Sequence, residues 1–191
     1  MQSVTFTRMI DGTSEEYAFL EKLEKEYAAG LPHRIEQSLE RLEGSFSGYR
    51  VSRLEHSLQS ATRAARDDRP LDYVVAALVH DIGDELAPYG HGELAAAILR
   101  PYVDDKLYWI VRTHGVFQMY YYGEQMGLDR NARDRYRGHR WFDDAVEFCE
   151  RYDQNCFDPD YDSEPLAFFR PMLETLFRRE PRFGERNEGE R

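Results

Sequence analysis

The sequence predicts an all-α protein, a helical bundle. Three observations carry that expectation. Apolar residues recur at helical spacing in one segment after another; the clearest case is Val51, Leu54, Leu58, Ala61 and Ala65 on one stripe of residues 51–66. Breaks rich in small, acidic and proline residues separate the segments, such as Asp-Asp-Arg-Pro at 67–70. The chain has 191 residues, 41% hydrophobic and 32% charged, enough for a single sizeable core of ordinary composition.

Taken in order, residues 14–29 are rich in Glu, Leu, Ala and Tyr and read as a first helix with Ser14 as N-cap. Residues 33–43 carry a second, shorter pattern, and Ser45 to Gly48 is a break. Residues 71–82 are nearly all apolar. Their β-branched content admits a strand, but a strand would be isolated among helices, so a buried helix capped by Gly83 is the expectation. Further helices are predicted over 91–100 and 105–117, split by Pro101. A loop with a short helix follows over 118–138, and the last helices span 140–155 and 164–179. No internal repeat is visible. The expected organisation is N-terminal helices over 1–48 packed on a core of 49–179, with a charged tail over 180–191, all one structural domain.

The net charge of -11 opposes a nucleic-acid partner or an anionic membrane surface, both of which require clustered Lys and Arg. Cys149 and Cys156 form neither a C-x-x-C motif nor a disulfide framework. No apolar run approaches the ~20 residues of a membrane span. The N-terminus, beginning Met-Gln-Ser-Val, lacks a signal-peptide core. A cytoplasmic protein acting on a small molecule is expected, and nothing indicates its oligomeric state.

Four of the six histidines stand in the order His56, His80, His91, His114; Asp81 follows His80 at once, and Asp153 lies downstream. Imidazole and carboxylate suit iron, manganese or zinc, and six such ligands are too many for one open catalytic ion. The set therefore reads as a dinuclear metal site in the centre of the bundle. His80 and Asp81 close a very apolar helix, where an unpaired carboxylate would be costly and a metal ion removes the cost. Adjacent helical residues point ~100° apart, and a carboxylate can bridge two ions as an imidazole cannot. His33 and His139 lie outside the set and are expected at the surface.

The segments Leu54-Glu55-His56-Ser57-Leu58-Gln59-Ser60-Ala61 and Leu78-Val79-His80-Asp81-Ile82-Gly83 resemble the HD-domain superfamily over roughly residues 49–179. Tyr108 to His114, Tyr152-Asp153-Gln154 and Asp158 to Asp162 narrow the likeness to its mixed-valence diiron oxygenases, the hydroxyphosphonate and myo-inositol oxygenases. The resemblance implies two iron ions, Fe(II)/Fe(III), with O₂ as co-substrate. It implies His56, His80, Asp81 and Asp153 on the first iron, His91 and His114 on the second, and Asp81 bridging. The implied activity is oxidative C–C or C–P (C–heteroatom) cleavage. The substrate is not carried over from either relative, and a small, polar, hydroxyl- or amine-bearing molecule is expected from the residues that depart from them.

Two positions depart from those relatives. After His-Asp-x-Gly they carry a Lys or a His toward substrate; here Asp84 stands there, and an acid repels phosphonate and welcomes a hydroxyl or ammonium group. Where the phosphonate enzymes carry a tyrosine that caps the second iron, this chain has Phe46; Tyr49 is the nearby phenol that can take that role. Gln59, one turn from His56, is a candidate substrate or ligand-supporting contact, with a helix-surface role as the alternative.

The runner-up is a dinuclear metal-dependent HD phosphohydrolase, for which Lys106, Arg112, Arg130, Arg133 and Arg137 are the available cations. A structural metal in a non-catalytic helical module is the third reading. Phe117, Met119, Tyr120, Tyr121 and Tyr122 either roof a pocket or pack as core. Asp158, Asp160 and Asp162 lack the rest of a calcium loop and read as turn residues.

Overall fold

The computed structural model describes residues 3–182, and these are all-helical, with no strand among them. The helices are α1 (Ser14–Ala29), α2 (Leu31–Arg41), α3 (Arg53–Arg66), α4 (Leu71–Val79), α5 (His91–Leu99), α6 (Asp105–Tyr122), α7 (Phe142–Tyr152) and α8 (Leu166–Phe177). Nearly all of the expected charged tail lies outside the described residues. No helix among the described residues is long and apolar enough to cross a membrane.

Local chemistry sets the helix starts. Thr13, not Ser14, caps α1: its side chain accepts from the Glu16 N–H while Glu16 returns to the Thr13 backbone. Ser52 caps α3 through Glu55, and Asp104 caps α6 through Leu107. Pro32 sits in the first turn of α2, where its missing N–H costs nothing.

The core is one contiguous cluster running from Ile35 on α2 to Phe177 on α8. Its centre is α4, buried from Tyr73 through Val79 and packed against α3, α8 and α6. Apart from Asp72 in its first turn, which pairs with Arg179, this helix is apolar all round and must be enclosed. α5 pairs with α6, α6 with α7, and α3 with α7. α1 lies outside this arrangement and buries none of its residues.

Two boundaries differ from expectation. α4 ends at Val79, so His80 and Asp81 enter a run of turns (80–86) instead of closing the helix. α6 runs on to Tyr122, through what the sequence suggests is loop, because its aromatic end packs on the neighbouring segments.

Candidate metal centre

The polar face of α3 explains how the centre is held. Seven consecutive residues, His56 to Thr62, are buried, four of them polar besides His56. They fasten the loop after α7. The Gln59 amide donates to the Asp158 carbonyl at 2.7 Å and accepts from its N–H at 3.3 Å. Ser60 donates to the Tyr152 carbonyl, and the Thr62 hydroxyl accepts from Glu164 N–H at 2.9 Å. Arg63 reaches the Asn155 carbonyl at 3.1 Å. The loop so fixed begins with Asp153 and includes the Cys156 carbonyl, which accepts from His56 Nδ1 at 3.1 Å.

Three of the four histidines are oriented in this way. His80 Nδ1 donates to the Ala77 carbonyl at 2.7 Å, and His114 Nδ1 to the Val111 carbonyl at 2.6 Å. A carbonyl only accepts, so each Nδ1 carries a proton and each Nε2 points inward, a lone pair whenever the ring is neutral. His91 Nδ1 faces Asp84 Oδ1 at 3.3 Å.

The inward nitrogens form two pairs: His56 and His80 Nε2 lie 3.1 Å apart, as do His91 and His114 Nε2. Asp81 stands between the pairs. Its Oδ2 lies 3.3 Å from His56 and 3.5 Å from His80. Its Oδ1 lies 3.2 Å from His114 and 3.4 Å from His91. Asp153 Oδ1 adds a second carboxylate, 3.5 Å from His56 and 3.8 Å from His80. All six residues expected from the sequence thus converge. Their donor atoms fall into overlapping sets able to hold a metal ion: His56, His80 and Asp81; His80, His114 and Asp153; and Asp81, His91 and His114.

Close approach of backbone makes this possible at two glycines. A Cβ on Gly83 would stand 2.5 Å from the His91 carbonyl oxygen and 2.8 Å from its Cα, so only glycine lets the turn after Asp81 touch the start of α5. A Cβ on Gly92 would meet the Val111 carbonyl at 2.9 Å and His114 Cε1 at 3.0 Å. The two glycines bring His91 and His114 together.

Electrostatics favour a cation here. Inward lone pairs and carboxylate oxygens at these distances repel unless a positive charge lies among them. Burial alone would push His56 down, yet Asp153 and Asp81 outweigh it and raise its pKa to about 9. Burial likewise opposes a charge on His114, and Asp81 and Asp153 raise it. Burial works to raise Asp81, but the His80, His114, His56 and Arg53 charges hold it well below the usual carboxylate range. Asp153 Oδ2 is buried and makes no hydrogen bond among the described residues, a carboxylate oxygen that lacks the partner burial requires. Protons and a metal ion compete for the same set, and the imidazole–carboxylate chemistry fits iron, manganese or zinc.

A cleft of about 520 Å³ opens on the His91 side of the centre. Phe46, Tyr49, Tyr121, Tyr122 and Phe157 form its aromatic walls. Asp84 and Arg53 line it beside His91, with Gln118 and Gln154. Asp84 therefore sits where the sequence suggests, but its Oδ2 is engaged by Arg53 at 2.5 Å. Tyr49 is in the cleft wall, half-exposed and stacked on Phe157 at 4.9 Å. Gln59 is not: it is a buried clamp on the loop, and does not line the cleft. Of the aromatic run after His114, Tyr121 and Tyr122 line the cleft, Phe117 is core, and Tyr120 packs under Arg133.

Sequence reasoning passed over Arg53 and Gln118. Arg53 precedes His56 by three residues and Gln118 follows His114 by four, so each shares a helix face with a ligand. Gln118 Nε2 donates to Asp153 Oδ1 at 2.5 Å. By contrast, Lys106 pairs with Asp144, Arg112 with Glu93, Arg130 with Glu124 and Arg137 with Asp134, all away from the cleft. His33 is exposed, and His139 stacks on Trp109 at 3.9 Å; neither joins the centre. Asp158 Oδ1 accepts from Asp160 N–H at 3.0 Å, as a turn residue does. No protein-family model matches the chain, and no curated protein matches it.

Proposed function

We propose that this protein is a dinuclear iron oxygenase of the HD-domain type, using O₂ to cleave a C–C or C–heteroatom bond in a small polar substrate. The observation that carries the reading is Asp81, whose two oxygens face two separate imidazole pairs. A structural site is usually closed and mononuclear, and has no need of a carboxylate shared between two histidine pairs beside an open cleft.

In this reading His56, His80, Asp153 and Asp81 would hold one iron, and His91 and His114, with Asp81 shared, would hold the other. The residues of the first set are all buried; the second borders the cleft through His91. When bound, the iron pair would activate O₂, which is the oxidant. The chain supplies the rest. Backbone carbonyls fix the imidazole tautomers. Gln118 holds the Asp153 carboxylate in place. The aromatic walls limit water at the reacting atoms.

The phosphohydrolase alternative needs cations for phosphate, and four of its five expected candidates are paired elsewhere on the surface. The separating experiment is turnover by iron-loaded protein with and without O₂, on a panel of hydroxy acids and polyols and on p-nitrophenyl phosphate. O₂-dependent product formation is expected. Phosphate release that continues anaerobically would overturn the proposal.

A further inference from the structure

We infer that Arg53 anchors the substrate, and that the group it selects is the carboxylate of a small hydroxy acid with an apolar body. The inference rests on the dinuclear reading only for the destination of the hydroxyl; the carboxylate and apolar subsites stand on the cleft itself.

Arg53 is the sole arginine or lysine among the described residues lining the cleft. Its side chain is only 12% exposed and lies between two carboxylates, 3.0 Å from Asp81 Oδ2 and 2.5 Å from Asp84 Oδ2. The guanidinium also sits 5.7 Å from the Tyr49 ring centroid. A guanidinium held this far from water needs anionic partners, and its planar fork matches a carboxylate through two parallel N–H bonds. Asp81 is shared with four imidazoles, so its charge is drawn away from Arg53. Asp84 binds Arg53 through one oxygen, which accepts from both Nε and Nη2. A substrate carboxylate can displace or flank that single oxygen.

Charge decides among ligand classes. Arg53 neutralises Asp84, so Asp84 no longer favours an ammonium group, in contrast to what its position in the sequence suggests. A phosphate or phosphonate dianion exceeds the one guanidinium, whereas a carboxylate that takes the place of Asp84 on Arg53, leaving Asp84 to His91, exchanges one monoanion for another. A carboxylate bound at Arg53 lies next to Asp84 and His91, which places an α-hydroxyl toward the open histidine pair. The aromatic walls then receive the apolar body.

The test uses 3-phenyllactate as probe, titrated by calorimetry into full-length protein loaded with Mn(II) and, in parallel, into metal-free protein. 3-Phenylpropane-1,2-diol, 2-amino-1-phenylethanol and phenyl phosphate serve as neutral, cationic and dianionic comparisons. Phenyllactate is expected to bind most tightly of the four. Arg53→Met should weaken it about tenfold and leave the diol unchanged, and Arg53→Lys should restore only part of the loss because the fork is gone. Metal content and helicity are measured on each variant. If Arg53→Met does not fold, the ranking of the four probes on the wild-type protein decides alone. Phenyllactate binding that is undetectable, unaffected by Arg53→Met, or weaker than that of the amine or phenyl phosphate overturns the inference. A chain that binds one metal or none, yet shows Arg53-dependent phenyllactate binding, overturns the dinuclear reading and leaves the carboxylate site standing.

Discussion

Asp81 divides its histidines into a sealed half and an open one. His56, His80 and Asp153 are fully buried, and all three are fastened by α3 or by a neighbouring carbonyl. On the other side His114 is as buried, but the His91 side chain is 23% exposed and borders the cleft. The sealed half has more carboxylate and lies behind the cleft residues Arg53, Gln118 and Phe157; the open half has fewer donors and borders the cleft through His91. One carboxylate serving both teaches a division of labour: the first half holds charge in the core, and the second presents it to a ligand.

The largest effect that can break this comparison is Asp81→Ala. Removing the carboxylate strands buried imidazoles and arginine, at a cost of about 3–5 kcal/mol for an unpaired buried charge. Metal content should fall below one ion per chain. Thermal unfolding and elemental analysis of the same sample check both; retention of a full metal complement would remove Asp81 from its central role.

Single substitutions should then separate the halves. His80→Ala is expected to lower the melting temperature by several degrees and to remove both ions, because the sealed half organises the centre. His91→Ala should remove one ion and leave melting of the metal-free chain nearly unchanged. Equal losses for the two variants would erase the distinction. Gly83→Ala should act like a milder His91→Ala, since its Cβ would drive the start of α5 away from the turn.

Proton competition gives a pH signature. The His56 pKa is raised to about 9 from 6.5 in the metal-free chain, so the stabilisation from its proton is complete below pH 6.5 and is lost as pH rises through about 9. Metal-free protein should therefore lose stability between those values, while apparent metal affinity rises over the same window as the proton leaves. Chemical denaturation with and without metal across that range is the check, and parallel pH profiles for both forms would contradict it. The smallest expected effect is Ser52→Ala, which removes the α3 cap at a cost of about 1 kcal/mol and leaves metal content intact.

The six converging residues were legible in the sequence as a set because their signals are local: His80-Asp81 ends an apolar run, and each histidine sits in a helical pattern. The boundaries were less so. The run through Ile82 looks continuous, yet α4 stops at Val79 because Gly83 must turn against His91, a contact that sequence order does not reveal. The aromatic stretch after Phe117 has modest helix propensity by itself, and tertiary packing keeps it helical to Tyr122. Gln59 reads as a site residue from its turn beside His56, but its partner is the Asp158 backbone, ninety-nine residues away. Nothing in the order of residues marks Arg53 at the start of α3; only the fold shows two acids closing on it.

The most direct measurement is electron paramagnetic resonance on protein loaded anaerobically with iron and then partly oxidised. A coupled mixed-valence signal at two irons per chain, lost in His91→Ala while the sealed half still folds, is the expected result. An isolated ferric signal at one iron per chain, unchanged by His91→Ala, would contradict the two-ion centre that Asp81 joins.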